Sequence, residues 1–208
     1  MFDTGGDSAV LLGNMGLLGV DPRRISVILL SHIHGDHVCG LFGLLSHTPK
    51  ARVYLLQSLP REFKERVRRL AGSVREVRGP AKILDGAYTT GELGGGVPEQ
   101  SVVLESARGL IVITGYAHPG VVRIVAAAQA TVDRKTALVM GGFHLGGMSA
   151  GEIHAIIARL KAQGVQMVGP CHCTGDLARY LMREAYGESF VEVGVGRVLT
   201  VNRGTGRR

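Results

Sequence analysis

Four side chains able to bind a metal ion, His32, His34, Asp36 and His37, stand within the segment Ser31-His32-Ile33-His34-Gly35-Asp36-His37. Neutral imidazole and carboxylate are the usual ligands of zinc and related cations. Residues i and i+2 of an extended segment point the same way, so His32 and His34 can share one ion. Asp36 and His37 lie where the chain turns into the next helix and can serve a second. One segment cannot close two coordination spheres, so further ligands must come from elsewhere. His118 and His172 are the candidates, because each lies just past an apolar run, 109–114 and 165–170 respectively. In α/β folds the C-terminal ends of strands are where ligands and chemistry collect.

The elements that must position these residues are legible in the apolar pattern. Residues 26–30 form a short run rich in β-branched residues that predicts a buried strand, and 51–56 predict the next. A helix over 9–18 is capped by Asp7 or Ser8 and stopped by Gly19. A second helix is expected over 38–47. A third, over 60–71, carries Phe63, Val67 and Leu70 on one face. Residues 73–115 read as strands at 73–77, 81–85, 100–106 and 109–114. Helix 120–132 and strand 136–142 follow. Ser149 and Glu152 have capping-box spacing ahead of helix 149–164, with Ile153, Ile156, Ile157 and Leu160 as its buried stripe. Strand 165–170, a loop at 171–176 and helix 177–186 complete the pattern. Residues 190–201 read as one or two strands, and 202–208 as a basic tail. This is one α/β domain over residues 1–208, with strand-loop-helix units in its second half.

Composition narrows the function. Of 208 residues 45% are hydrophobic, which suits one ordinary globular core, and 31 glycines fit many sharp strand-to-loop turns. Three cysteines, Cys39, Cys171 and Cys173, argue against a disulfide framework. The first residues show no signal peptide and no apolar run reaches membrane length, so a cytoplasmic protein without membrane contact is expected. With no Trp and 5% aromatics, base-stacking platforms are poorly supplied. The net charge of +7 fits a solvated arginine-rich surface or an anionic small-molecule substrate; nucleic acid is not the expected partner. The stretch 60–79 holds seven basic and three acidic residues, a solvated face or an anion patch.

The spacing His32-x-His34-x-Asp36-His37 resembles the signature of the metallo-β-lactamase superfamily, and Asp3-Thr4-Gly5 resembles the aspartate-bearing loop ahead of it. Three further blocks, Gly115-Tyr-Ala-His-Pro-Gly120, Gly141-Gly-Phe-His-Leu145 and Pro170-Cys-His-Cys-Thr-Gly175, are similar to a subgroup that includes archaeal dihydropterin-type phosphate synthases. The resemblance implies an αββα sandwich. It places His32, His34 and His118 around one divalent metal ion and Asp36, His37 and His172 around a second. Zinc is the expected metal, with manganese or iron as alternatives.

Two departures stand out. The family pattern has a bridging aspartate at the end of the strand 136–142, but no aspartate occurs between Asp133 and Asp176. His144 lies near that place as a substitute ligand, a substrate contact or a histidine held by its surroundings. The Asp3 loop also comes before any strand, so the fold is expected to lack its first N-terminal strands, with a misassigned start as the preferred explanation.

The remaining residues receive lesser roles. Asp3 is expected to orient a ligating imidazole. Thr174 and Gly175 open the last helix and offer a phosphate-binding N-terminus. Cys171 and Cys173 are expected to pack or to support ligands, Cys39 to be a small buried thiol, and His47 and His154 to be solvated. Two ions would acidify a shared water and stabilise developing negative charge. Asp36 is then both a ligand and the orienter of the hydroxide, and His144 contacts substrate or moves a proton to the leaving group. The expected activity is hydrolysis of a small ester, lactone or phosphoester. Alternatives are a transferase of the synthase kind and a catalytically idle metal-binding member.

Overall fold

The structure, a computed structural model, describes residues 1–202; the basic tail, Asn202 apart, lies outside them. The chain opens with α1 (Ser8–Leu17), capped by Asp7, whose side chain accepts the Val10 N–H at 2.9 Å. A first sheet follows: β1 (Val27–Leu29), β2 (Arg52–Leu56) and β3 (Ser73–Val77), all parallel and in that order. Parallel neighbours need crossovers. These are α2 (Gly35–Val38) with α3 (Leu41–His47), then α4 (Arg61–Leu70).

The second sheet runs β4 (Ala81–Leu84), β5 (Ala87–Thr89), β6 (Val102–Ser106), β7 (Gly109–Thr114), β8 (Thr136–Gly142) and β9 (Met167–Cys171), again in sequence order. It is antiparallel up to β7 and parallel from β7 to β9, where α5 (Val121–Val132) and α6 (Ala150–Ala162) cross over. α7 (Asp176–Tyr186) is the last α-helix among the described residues.

Strand alternation builds the layers. In β2, Val53 and Leu55 join the core under α1, α3 and α4, while Tyr54 points to the other side and meets Leu29, Val77 and Val102. In β7, Leu110 and Val112 face the core beneath α5, α6 and α7, while Ile111 and Ile113 face inward. The result is the expected helix-sheet-sheet-helix sandwich. Phe2 pairs with Leu29 in a parallel bridge, so the first residues run along the outer edge of β1. The α6 capping box is formed, and Ile153, Ile157 and Leu160 are buried. No described helix is long and apolar enough to cross a membrane.

Four expectations are corrected. The helix predicted over 38–47 is broken at Cys39 and Gly40, because Thr4 crosses there: a Cβ on Gly40 would lie 2.1 Å from the Thr4 carbonyl oxygen. Residues 190–201 form no strand beyond one bridge between Phe190 and Val168. Their apolar side chains, Val191, Val193 and Leu199, instead cover the inward face of Ile111, Leu138 and Met167. Alternation therefore reported a half-buried segment but not its pairing. The short β5 has no counterpart among the strands that the apolar pattern predicts. Cys39 is exposed, not buried. His47 and His154 are exposed as expected.

Three of the seven basic residues of the stretch 60–79 are ion-paired within it. Lys64 and Arg68 both reach Glu76, Arg61 pairs with Glu65, and the Arg66 guanidinium lies 3.7 Å from the centre of the Phe42 ring. That arrangement fits a solvated face.

Candidate metal centre

The loops after β1, β7, β8 and β9 all leave the same end of the sandwich, and they bring the sequence-predicted residues together there. One donor atom from each of His32, His34 and His118 lies within 4.8 Å of the other two, and the same holds for Asp36, His37 and His172. The two triads adjoin: the His32 and His37 ring centres are 4.2 Å apart.

Asp3 organises the approach. Its N–H donates to the Leu29 carbonyl at 2.9 Å, which sets its side chain beside the end of β1. Its carboxylate accepts the Ser31 N–H at 2.6 Å, the Ser31 hydroxyl at 2.7 Å, and lies 2.7 Å from His37 Nδ1. Gly115 makes this network possible, since a Cβ there would fall 2.3 Å from Ser31 Oγ.

The hydrogen bonds fix the histidine tautomers. The single Ser31 proton is spent on Asp3, so Ser31 Oγ accepts from His32 Nδ1 at 2.8 Å. His37 Nδ1 likewise donates to the Asp3 carboxylate. In their neutral form both rings therefore present a bare Nε2 to the cluster. Those two Nε2 atoms are buried and have no hydrogen-bond partner. A buried lone pair without a partner costs free energy, and a divalent cation is the partner that such a donor set fits.

Charge follows the same logic. Burial, and then the nearby imidazoles of His37, His118, His34 and His172, push the His32 pKa down to about 2. Burial alone would lower His37, but its hydrogen bond to Asp3 and the carboxylates of Asp3, Asp36 and Glu99 outweigh it, and the net shift is upward. Asp36 Oδ2 lies 3.1 Å from His172 Nε2 and 3.4 Å from His37 Nε2.

His144 belongs to neither triad. Its ring centre is 5.2 Å from that of His118 and 4.7 Å from that of Tyr116. Partial loss of solvent and the neighbouring His118 lower its pKa. The end of β8 has no room for a side chain: a Cβ on Gly141 would meet the Thr114 carbonyl oxygen at 2.1 Å, and one on Gly142 the Gly115 oxygen at 2.5 Å.

Thr174 does not face the cluster. It is fully buried, donates to the Cys171 carbonyl at 2.6 Å and accepts the Phe143 N–H at 3.2 Å. Its hydroxyl staples two loops and is not free for a phosphate. Gly175, at φ +84°, sits against Gly146. Cys173 makes a weak contact with the Tyr116 carbonyl oxygen, and burial raises the pKa of both Cys171 and Cys173, so they stay neutral thiols outside the triads.

Three residues escaped the sequence reading. Ser31 relays Asp3 to His32. Tyr116 stacks on His118 at 4.4 Å and walls the cluster. Glu99, with no side-chain exposure, lies 2.9 Å from His118 Nδ1. The signal for Glu99 was the need of His118 for a carboxylate on its far nitrogen. Strain marks the same place: of five described non-glycine residues at positive φ, four are Asp3, Ala117, His144 and His172. Such backbone strain persists where the surroundings over-determine it, commonly at functional sites.

A model of the metallo-beta-lactamase superfamily matches residues 1–122, more than half of the chain, and the chain belongs to that superfamily. The 7,8-dihydropterin-6-methyl-4-(beta-D-ribofuranosyl)-aminobenzene-5'-phosphate synthase of Methanocaldococcus jannaschii is 28% identical to it over 244 residues, covering 96% of this chain and 83% of that protein. Among solved structures, Tm1679, described as a metal-dependent hydrolase of the beta-lactamase superfamily, superposes with a TM-score of 0.82 at 27% identity, covering 97% of this chain and 88% of that one. YhfI of Bacillus subtilis, a metallo-beta-lactamase fold protein, shares the fold with a TM-score of 0.67 at 15% identity over 96% of this chain and 86% of its own. Membership supports an enzyme, and with the two donor groups it suggests divalent metal binding.

Proposed function

We propose that this chain is a metal-dependent hydrolase that acts on a small anionic ester, lactone or phosphoester. His32, His34 and His118 hold one divalent ion, and Asp36, His37 and His172 a second, with zinc as the first choice and manganese or iron as alternatives. The observation that carries this reading is the pair of adjoining triads with the buried, unpartnered Nε2 atoms of His32 and His37 turned into them. When bound, two such ions supply an acidified water near neutral pH and positive charge for a developing oxyanion.

The chain's own residues do the rest. Asp3 and Ser31 keep His32 and His37 in the tautomer that offers Nε2. Asp36, half exposed at the mouth, can accept a proton from an incoming nucleophile as well as bind. His144 and Tyr116 line the approach and orient the substrate. The three described cysteines are free, which suits a reducing cytoplasm.

A second reading is favoured by the synthase relative: a transferase joining two organic substrates at the same centre. The test is turnover by zinc- or manganese-loaded protein on a panel of esters, lactones and phosphoesters. Product formed with water alone supports the hydrolase. Product formed only when a diphosphate donor and an amine- or carbon-nucleophile acceptor are both present supports the transferase. Full metal loading with no turnover in either format contradicts both and leaves a metal-dependent binding protein.

A further inference from the structure

The strip Glu99-Gln100-Ser101, just ahead of β6, is polar yet exposed by no more than 1%. Buried polar groups are normally bonded, and the Glu99 and Gln100 side chains are, whereas the Ser101 hydroxyl has no partner. Glu99 Oε1 accepts the N–H groups of Tyr116 at 2.8 Å and Ala117 at 2.9 Å. Its Oε2 accepts the His118 N–H at 3.0 Å and faces His118 Nδ1 at 2.9 Å. Next door, the Gln100 N–H donates to the Ser31 carbonyl at 3.0 Å and its side-chain amide to the Leu30 carbonyl at 2.8 Å. Two adjacent residues thus grip the loop after β7 and the end of β1, the segments that carry His118 on one side and His32 and His34 on the other.

The carboxylate does two things to His118. Three successive N–H groups converge on it because Ala117 adopts φ +67°, a left-handed turn that a residue with a Cβ rarely takes. A carboxylate also only accepts, so His118 Nδ1 carries the proton and Nε2 is left bare. We propose that Glu99 is the positioning residue of the His32–His34–His118 triad: it holds the loop that presents His118 and dictates the tautomer that lets His118 bind a metal ion. The metal-binding half rests on the function proposed above; the tautomer is a property of the metal-free chain.

Glu99→Gln is nearly isosteric. Its carbonyl keeps acceptor capacity for the Tyr116 and Ala117 N–H groups, but its NH₂ group meets the His118 N–H and Nδ1. The ring must shift its proton to Nε2 or swing away. The test uses long-range ¹H–¹⁵N spectra of the histidine rings in the metal-free full chain, at a pH where the imidazoles are neutral. The expected result is His118 protonated on Nδ1 in the wild type and on Nε2 in Glu99→Gln, with unchanged far-ultraviolet circular dichroism. A wild-type His118 protonated on Nε2 would overturn the proposal, and that result needs no variant to fold.

Zinc titration gives the second readout. Affinity for one ion should fall about 10–100-fold in Glu99→Gln, as for other partners of ligating histidines, while the other ion binds as before. Adding Glu99→Gln to His118→Ala should change zinc binding no further. A folded Glu99→Gln that binds both ions with wild-type affinity would overturn the positioning role. A wild type that takes up no zinc overturns the metal reading alone, and the tautomers still decide the role of Glu99.

Discussion

The two triads are built to different standards. The first is the deeper at the sheet ends: His32 is fully buried and His118 is held by a carboxylate with no exposure, while His34 stands more open. The second opens outward, with the Asp36 and His172 side chains 50% and 41% exposed and only His37 buried. Buried ligands locked by a surrounding shell lose little freedom on binding, whereas exposed ones must be ordered by the ion itself. The contrast teaches that one ion should be structural in its permanence and the other exchangeable. No carboxylate at the end of β8 is available to tie them together.

The sharpest ways to break this contrast are at the ligands. His34→Ala or His118→Ala should remove the tighter ion and reduce turnover to background, seen by elemental analysis and initial rates. His172→Ala should cost mainly the weaker ion, with the tighter one retained; equal metal content in all three variants would erase the distinction between the sites. Asp3→Ala removes support from both triads at once, because it frees His37 directly and His32 through Ser31. Both affinities should fall, by about 10–100-fold each if it behaves like other residues that orient ligands, measured by competition with a chromogenic chelator.

Acid should sharpen the contrast from the other side. His32 has a folded pKa of about 2 against 6.5 unfolded, so the unfolded chain binds more protons below pH 6.5. Its stabilising contribution is therefore complete above pH 6.5 and declines as the pH falls towards 2, at up to about 1.4 kcal/mol per pH unit. His37, shifted upward, acts oppositely: its contribution is present below 6.5 and is lost as the pH rises through its folded pKa. Urea melts of the metal-free protein should accordingly lose stability on acidification through this window, and the same melts of His32→Ala should lose less. The smallest effect is a control far from the metals: Ser149→Ala opens the α6 capping box and should cost about 1 kcal/mol without altering metal content.

Much of this was legible in the sequence because it is local. The His32-to-His37 spacing and the placement of His118 and His172 after apolar runs depend on strand ends, which alternation reveals. The α6 helix is equally local, since Ser149 and Glu152 cap within one turn. What stayed hidden is tertiary. Glu99 acts on His118 from 19 residues away; nothing in its own neighbourhood marks it except a charge in a buried strip. Thr174 looked like a phosphate contact because it opens a helix, but its hydroxyl is consumed by Cys171 and Phe143. The segment 190–201 alternates like a strand, yet it lies over a sheet face instead of joining an edge, and periodicity does not distinguish the two. Gly40 was read as helical because propensity cannot register the Thr4 carbonyl oxygen that crosses it.

The most direct measurement is metal content by elemental mass spectrometry on the full chain, purified without chelator or affinity tag and then dialysed against graded chelator. The prediction is two ions per chain, released one after the other, with the first release suppressed in advance by His172→Ala and the second by His118→Ala. No bound ion after exposure to zinc, manganese or iron, or release of both in a single step that neither variant divides, would contradict a centre of two unequal sites.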